Sequence, residues 1–372
     1  MYNSFMKLSV IIPTHNRADT LKICLERLMA QEGADFEVIV VDDGSKDNTA
    51  EIVKSFVRSP AFHPNVVLKY LKQPNPLGRA AARNNGVKNA TGDIIIFIGD
   101  DIFVEPGWLK EHADFHLSHP QKEVMAVGHM TWAPEEKGDR FMKWLEDTGL
   151  MPNFKGLRNG QKTDYWHFYT GNVSLKKFWF GTHHFDEHFK AYGWEDTKFG
   201  YELMKACPPG RAGAQLYYLK NALALHHHPL TESDYFPRRM REIGKSAVLF
   251  TEIYPEVPLI PRGLKHFILS LLASRPIGGL AGLFKKEWGW YCLSKRYFLE
   301  GVGKPKKYKS YLIIGSYGAS NIGDEVMLEI ILKHLPPNSK KYVLSGHPAD
   351  TARRHGGITQ VSGHLPFGLR SF

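Results

Sequence analysis

Phe36-Glu-Val-Ile-Val-Val-Asp-Asp-Gly-Ser45 is an apolar run that stops abruptly at two carboxylates, a glycine and a serine. Phe36 to Val41 is short and β-branched, the pattern of a strand buried on both faces. The same grammar recurs on either side. Leu8-Ser-Val-Ile-Ile-Pro13 leads into Thr14-His15-Asn16, and Ile94 to Ile98 leads into Gly99-Asp100-Asp101. Apolar spacing between these runs predicts helices over 19–30, 48–57 and 80–90, with a further strand from Val66 to Leu71. Strands alternating with helices predict an α/β fold, a mostly parallel sheet with helices on both faces. Ligands of such sheets sit beyond the carboxyl ends of the strands, which is where all three polar clusters fall.

Composition narrows the functional classes. The chain of 372 residues is 43% hydrophobic and 23% charged, which fits folded globular protein and excludes wholesale disorder. Its net charge of +10 is uneven: Lys285, Lys286, Lys295, Arg296, Lys304, Lys306, Lys307 and Lys309 against Glu287 and Glu300 supply 8 − 2 = +6 of it. The basicity is a local feature, and nucleic acid is not expected as a partner. Cys24, Cys207 and Cys292 are far apart, with no CxxC spacing, so neither a disulfide framework nor a structural zinc site is expected. Met1 to Lys7 lacks the apolar run of a signal peptide, and no stretch reaches the ~18 apolar residues of a spanning helix. These features predict a cytoplasmic protein, with peripheral contact at the inner face of the cell membrane as an option.

Three regions follow. The expected boundaries are 1–255 for the α/β domain, 256–307 for a basic helical segment and linker, and 308–372 for a small partial α/β unit. Pro255-Glu-Val-Pro258 and Pro261 mark the first division. Leu264 to Glu300 reads as helices with a basic face and the aromatics Trp288, Trp290 and Tyr291. Clustered lysines beside such aromatics suit an anionic leaflet, and equally suit a solvated helical pack.

Each polar cluster admits a chemical and a structural reading. Asp100-Asp101 suits a hard divalent cation, Mg²⁺ or Mn²⁺, or serves as an acidic turn. Asp42-Asp43-Gly44-Ser45 offers a carboxylate to a nucleobase and ribose, or a turn with a helix cap. Glu195-Asp196, behind the Gly193-Trp194 turn, places a general base at the start of a helix expected over 196–206, or complements that helix's dipole. His226-His227-His228 ends an apolar run, so His227 either completes a metal shell or is structural. Arg79 and Arg83 share a helix face within reach of a diphosphate, or form a solvated basic face.

The ordered set of motifs resembles family-2 glycosyltransferases over about residues 7–229. The resemblance rests on Val10-Ile-Ile-Pro-Thr-His-Asn16, Val38-Ile-Val-Val-Asp-Asp-Gly-Ser45 and Gly78-Arg-Ala-Ala-Ala-Arg-Asn84. Thr91-Gly-Asp-Ile-Ile-Ile-Phe-Ile-Gly-Asp-Asp101, Gly171-Asn-Val-Ser174 and Gly193-Trp-Glu-Asp196 complete it. It implies a GT-A-like, Rossmann-type mixed sheet and transfer of a sugar from a nucleoside-diphosphate sugar to a glycan or lipid-linked acceptor, with inversion. It implies that Pro13, Thr14 and Asn16 line the nucleotide site, Asp43 holds the base and Asp100 approaches the ribose. Asp101 would bind the cation and Asp196 would be the general base, beside Glu195. Gly315-Ser-Tyr-Gly-Ala-Ser-Asn-Ile-Gly-Asp-Glu325 and Val343 to Gly356 resemble the start of polysaccharide pyruvyl transferases, in a fragment much shorter than that family. A pyruvyl transferase-related role, or a non-catalytic subunit of glycan assembly, is the alternative function.

Overall fold

The computed structural model describes residues 6–58, 66–205, 213–261, 263–303, 310–314, 322–335, 340–345 and 360–362, with 351, 355 and 358. It divides into two compact units, Met1–Val302 and Gly303–Phe372. The helical segment expected after residue 255 is therefore packed into the first unit rather than set apart from it, and the division falls at 302/303.

The first unit begins as the sequence predicts. Strands β1 (Leu8–Thr14), β2 (Phe36–Asp42), β3 (Val66–Lys72) and β4 (Ile94–Ile98) alternate with helices α1 (Ala18–Met29), α2 (Thr49–Arg58) and α3 (Arg79–Asn89). Every residue of β2 and β4 is buried, so both sheet faces are covered. Next come β5 (Ile102–Val104), α4 (Trp108–Ser118), β6 (Val124–Trp132), the short α5 (Pro134–Lys137), α6 (Arg140–Asp147) and β7 (Lys162–Thr163). They are followed by β8 (Asn172–Lys176), α7 (Glu195–Met204) and the long β9 (Gln215–His226).

These strands form one 9-stranded sheet in the order β3-β2-β1-β4-β8-β6-β9-β5, with β7 paired to β9. Strands β1, β2, β3, β4, β6 and β9 run one way, and β5, β7 and β8 run against them. The sheet is thus mixed and mostly parallel. Register aligns the polar clusters: β1 pairs with β2 so that Thr14 stands opposite Asp42.

Two close approaches fix this layout. A Cβ on Gly86 of α3 would come within 2.4 Å of Ile11 Cγ2, so only glycine lets α3 lie flat on β1. On β8, buried Asn172 accepts from Trp108 Nε1 at 2.8 Å and donates to His129 O and Ala222 O at 3.2 and 2.9 Å. One satisfied amide therefore ties α4, β6, β8 and β9 together.

Beyond β9, a short turn α8 (Glu232–Asp234) precedes a π-helical stretch, Tyr235–Met240. Helices α9 (Arg241–Ile253), α10 (Gly263–Leu272), α11 (Arg275–Phe284) and α12 (Lys286–Val302) complete the unit. Trp290 of α12 is buried against Phe141 and Trp144 of α6, which anchors the helical segment by aromatic packing.

The second unit is a parallel sheet of β10 (Ser310–Ile314), β11 (Lys340–Leu344) and β12 (Gln360–Ser362), with α13 (Ile322–His334) after β10. A strand followed by a helix is how an α/β unit begins. The glycine-rich stretch 315–321 lies outside the described residues, as does Cys207.

Candidate active site

The three acidic clusters are linked by a chain of contacts around one edge of the sheet, and local backbone chemistry explains how. At the end of β1, Asn16 takes a left-handed conformation (φ 52), which asparagine tolerates better than most residues. There its backbone N–H donates to Ser45 Oγ at 2.9 Å, and its Oδ1 accepts from Lys46 N at 2.8 Å. The ends of β1 and β2 are thereby laced together. Asp43 N–H donates to Thr14 O at 2.9 Å, and Thr14 Oγ1 donates to Asp100 Oδ2 at 2.8 Å. Pro13 stands opposite Val41 one step earlier in the same ladder.

Asp43 is buried and accepts from three donors. They are Gln73 Nε2 at 2.5 Å, Leu77 N at 2.6 Å and Gly78 N at 2.8 Å. The last two fix the entry to α3, so Asp43 sets where Arg79 begins.

Asp100 and Asp101 share a guanidinium. Arg17 Nη1 donates to Asp100 Oδ1 at 3.0 Å and to Asp101 Oδ2 at 2.6 Å. His226 Nε2 and His228 Nδ1 reach the same Asp101 oxygen at 3.5 and 3.3 Å. Burial pushes the Asp101 carboxyl up, but His226, His228 and Arg17 outweigh it and hold it well below the usual range. Asp100 goes the other way, raised to about 6 by burial and then by the Asp101 charge. One carboxylate is thus kept ionised at the expense of its neighbour.

His227 does not join Asp101. Its Nδ1 meets Glu136 Oε1 at 2.8 Å and its ring stacks on Phe103. The expectation that His227 completes the shell at Asp101 is corrected. Successive residues at a strand end point to opposite sides, so its neighbours His226 and His228 take that place.

Glu195 and Asp196 open α7. The preceding Trp194 has φ 70, a strained conformation for so bulky a residue, held by its Nε1–H donating to Ile243 O at 3.0 Å. Glu195 is buried beside Arg83 (3.2 Å) and Arg79 (3.8 Å). Burial raises its pKa, and the two arginines reverse this to a net lowering. Asp196 keeps some exposure and accepts from Thr197 N at 2.7 Å. Burial, then the Glu195 charge, raises its pKa to about 6. Arg83, expected to reach a diphosphate, is instead enclosed and engaged with Glu195, while Arg79 keeps an exposed side.

Two residues that sequence reasoning passed over close the circuit. Arg239, in the π-helical stretch, donates to His228 Nε2 and lies over the Tyr192 ring at 5.0 Å. Arg79 lies over the same ring at 4.5 Å. Contacts therefore run from Asp101 through His228, Arg239, Tyr192 and Arg79 to Glu195. They return from the start of α3 through Asp43, Thr14 and Asp100. The only advance signal was a tyrosine just before the Gly193-Trp194 turn and an Arg238-Arg239 pair after a proline.

Comparison with known proteins agrees with this architecture. Residues 9–183 match the model of Glycosyl transferase family 2. The chain is 29% identical over 253 residues to a chondroitin synthase of Escherichia coli, covering 60% of this chain and 35% of that one. It is 33% identical over 199 residues to the uncharacterized glycosyltransferase YibD of Escherichia coli strain K12, covering 50% and 56%. The chain thus spans between about a third and a little over half of these relatives. Among solved structures it resembles the mannosyltransferase PcManGT of Pyrobaculum calidifontis, with TM-score 0.53 and 16% identity over 81% of this chain and 87% of that one.

Replacing Arg83 by methionine should leave Glu195 buried without its nearer partner and lower stability by about 3–5 kcal/mol in urea unfolding. Adding Glu195→Gln should recover part of that loss, and equal losses in both variants would contradict the pairing. The burial of both residues, on α3 and α7, makes this pair a structural as well as an electrostatic link. Over residues 9–183 the chain is thus similar to Glycosyl transferase family 2, and the order of its sheet is compatible with that likeness.

Proposed function

We propose that this chain transfers a sugar from a nucleoside-diphosphate sugar to a glycan or lipid-linked acceptor, with inversion at the anomeric carbon. The observation that carries the proposal is the closed circuit of contacts joining Asp43, Asp101 and Glu195-Asp196 across the carboxyl edge of the sheet. Pro13, Thr14, Asn16 and Asp43 would line the nucleoside, with Asp100 near the ribose and Arg79 toward the diphosphate.

The residues around Asp101 fit a divalent cation, Mg²⁺ or Mn²⁺. The Arg17 guanidinium and two imidazole nitrogens already reach Asp101, so the place offers a carboxylate that faces a cation and nitrogen ligands beside it. Asp101 would hold the ion, with His226 or His228 beside it, and Arg17 would yield its contact. When bound, the ion supplies charge neutralisation to the departing diphosphate. Asp196 takes the proton from the acceptor hydroxyl. The freed oxygen attacks the anomeric carbon opposite the leaving group, and the carbon–oxygen bond to the diphosphate breaks.

The sign of the pH dependence follows from the raised pKa of Asp196. A base must be ionised, so kcat/KM should rise with pH through about 6 and level off above it. Asp196→Asn should lower kcat by about 10²–10⁴-fold while nucleoside diphosphate binding persists. Wild-type turnover in that variant would remove Asp196 from the role.

The acceptor side faces a lipid surface in our reading. Among the described residues no single helix is long and apolar enough to cross a membrane, though α10 and α11 pass that test as a pair bent by 64°. Both turn their apolar stripes outward. Leu264 (73% exposed), Phe267 (65%), Ile268 and Leu271 follow helical spacing on α10, and Leu280, Leu283 (83%) and Phe284 (82%) do so on α11. Trp288 and Tyr291 extend the patch along α12, and Lys265, Arg275 and Lys285 are exposed around it. An apolar face rimmed by cations suits the interface of an anionic bilayer, as on the cytoplasmic side of a cell membrane. The wild-type chain should co-sediment with phosphatidylglycerol-containing vesicles. Leu283→Ser/Phe284→Ser should weaken this by about tenfold or more, since each side chain buried adds about 1.5–3 kcal/mol. Unchanged co-sedimentation would contradict the docking face.

A further inference from the structure

His227 sits between two histidines that face Asp101, yet its own ring meets a different pair of acids. One ligand atom each from Glu135, Glu136 and His227 lies within 4.8 Å of the other two. Glu136 is only 5% exposed, and its Oε2 is buried with no hydrogen-bond partner, while Oε1 lies 2.8 Å from His227 Nδ1. An orphaned carboxylate oxygen in a desolvated position is costly. His227 engages Oε1 and leaves Oε2 without a partner, while Glu135 offers a further carboxylate oxygen to the same place. A divalent cation would give the buried carboxylate the partner it lacks.

We propose that Glu135, Glu136 and His227 form a second divalent-cation site, additional to the one at Asp101. One imidazole with two carboxylates suits Mn²⁺ or Zn²⁺ better than Ca²⁺, which prefers oxygen ligands throughout. The ring of His227 is already oriented by stacking on Phe103, with centroids 5.3 Å apart and planes at 21°. The site's place in the fold gives it a structural task. Glu135 and Glu136 lie on α5, directly after β6, and His227 directly follows β9. Backbone bonds already join these segments: Ala133 N–H donates to His226 O at 3.0 Å, and His227 N–H donates to Asp101 O at 2.9 Å. An ion between α5 and His227 clips the end of β9 in place. It thereby holds His226 and His228, on either side, against Asp101.

Mn²⁺ binding to the full chain without nucleotide, followed by electron paramagnetic resonance, tests this. The wild type should take up about two ions per chain and Glu135→Gln/Glu136→Gln about one. His227→Gln alone should weaken the same site, which guards against misfolding of the double variant. Asp101→Asn should remove the other ion, so the two sites are read separately. Zn²⁺ should raise the Tm of the wild type by more than that of Glu135→Gln/Glu136→Gln, which keeps only the Asp101 site. Equal Mn²⁺ stoichiometry in the wild type, Glu135→Gln/Glu136→Gln and His227→Gln would overturn the proposal. Loss of an ion in those variants but none in Asp101→Asn would uphold it and sink the donor-site cation instead.

Discussion

A largely buried carboxylate stays ionised only where cations and hydrogen-bond donors converge on it, and Asp101 is the place where this chain meets that constraint. Arg17 from the end of β1 and His226 and His228 from the end of β9 reach one carboxylate at the end of β4. β1 and β4 are neighbours, while β8 and β6 stand between β4 and β9 in the sheet. Asp101 directly precedes β5, whose pairing with β9 brings His226 beside it, and Arg17 adds the link to β1. The opposite wall obeys the same rule, with Glu195 buried against Arg79 and Arg83. The Tyr192 ring, contacted by both Arg79 and Arg239, joins the two walls.

The first half of the fold was legible because its strands are buried on both faces. Continuous apolar runs such as Phe36–Val41 and Ile94–Ile98 have no competing reading at that length, and each stops at the polar residues that build the site. The later strands were not legible for equally physical reasons. β9 alternates in burial until Lys220-Asn221 interrupt it, and β6 carries Gly128 and a register shift between Gly128 and Met130. Neither breaks cleanly at a turn signal. Asn172 was read as part of a motif, but its work of tying four elements together depends on partners far away in the chain.

The site shows the same division. Asp43, Asp100, Asp101, Glu195 and Asp196 could be found by local pattern, since each ends a strand or starts a helix. Which histidine faces Asp101 could not, because that choice depends on the alternation of β9 relative to β5 and on the packing of His227 over Phe103. Arg239 was hidden for another reason. It is brought to His228 and Tyr192 by a π-helical stretch, an irregularity that often accompanies functional positions and leaves no reliable mark in sequence. The strained Trp194 had a visible companion in Gly193, and a left-handed pair before Glu195 aims the two acids.

The account stands on one pocket being assembled from segments far apart in the chain. Amide hydrogen exchange with and without a nucleoside diphosphate and Mn²⁺ reads this directly. Slowed exchange should arise together in residues 14–17, 42–45, 77–80, 100–102 and 226–228. Protection confined to one of these segments, with the others unchanged under saturating ligand, would contradict the shared pocket and the function drawn from it.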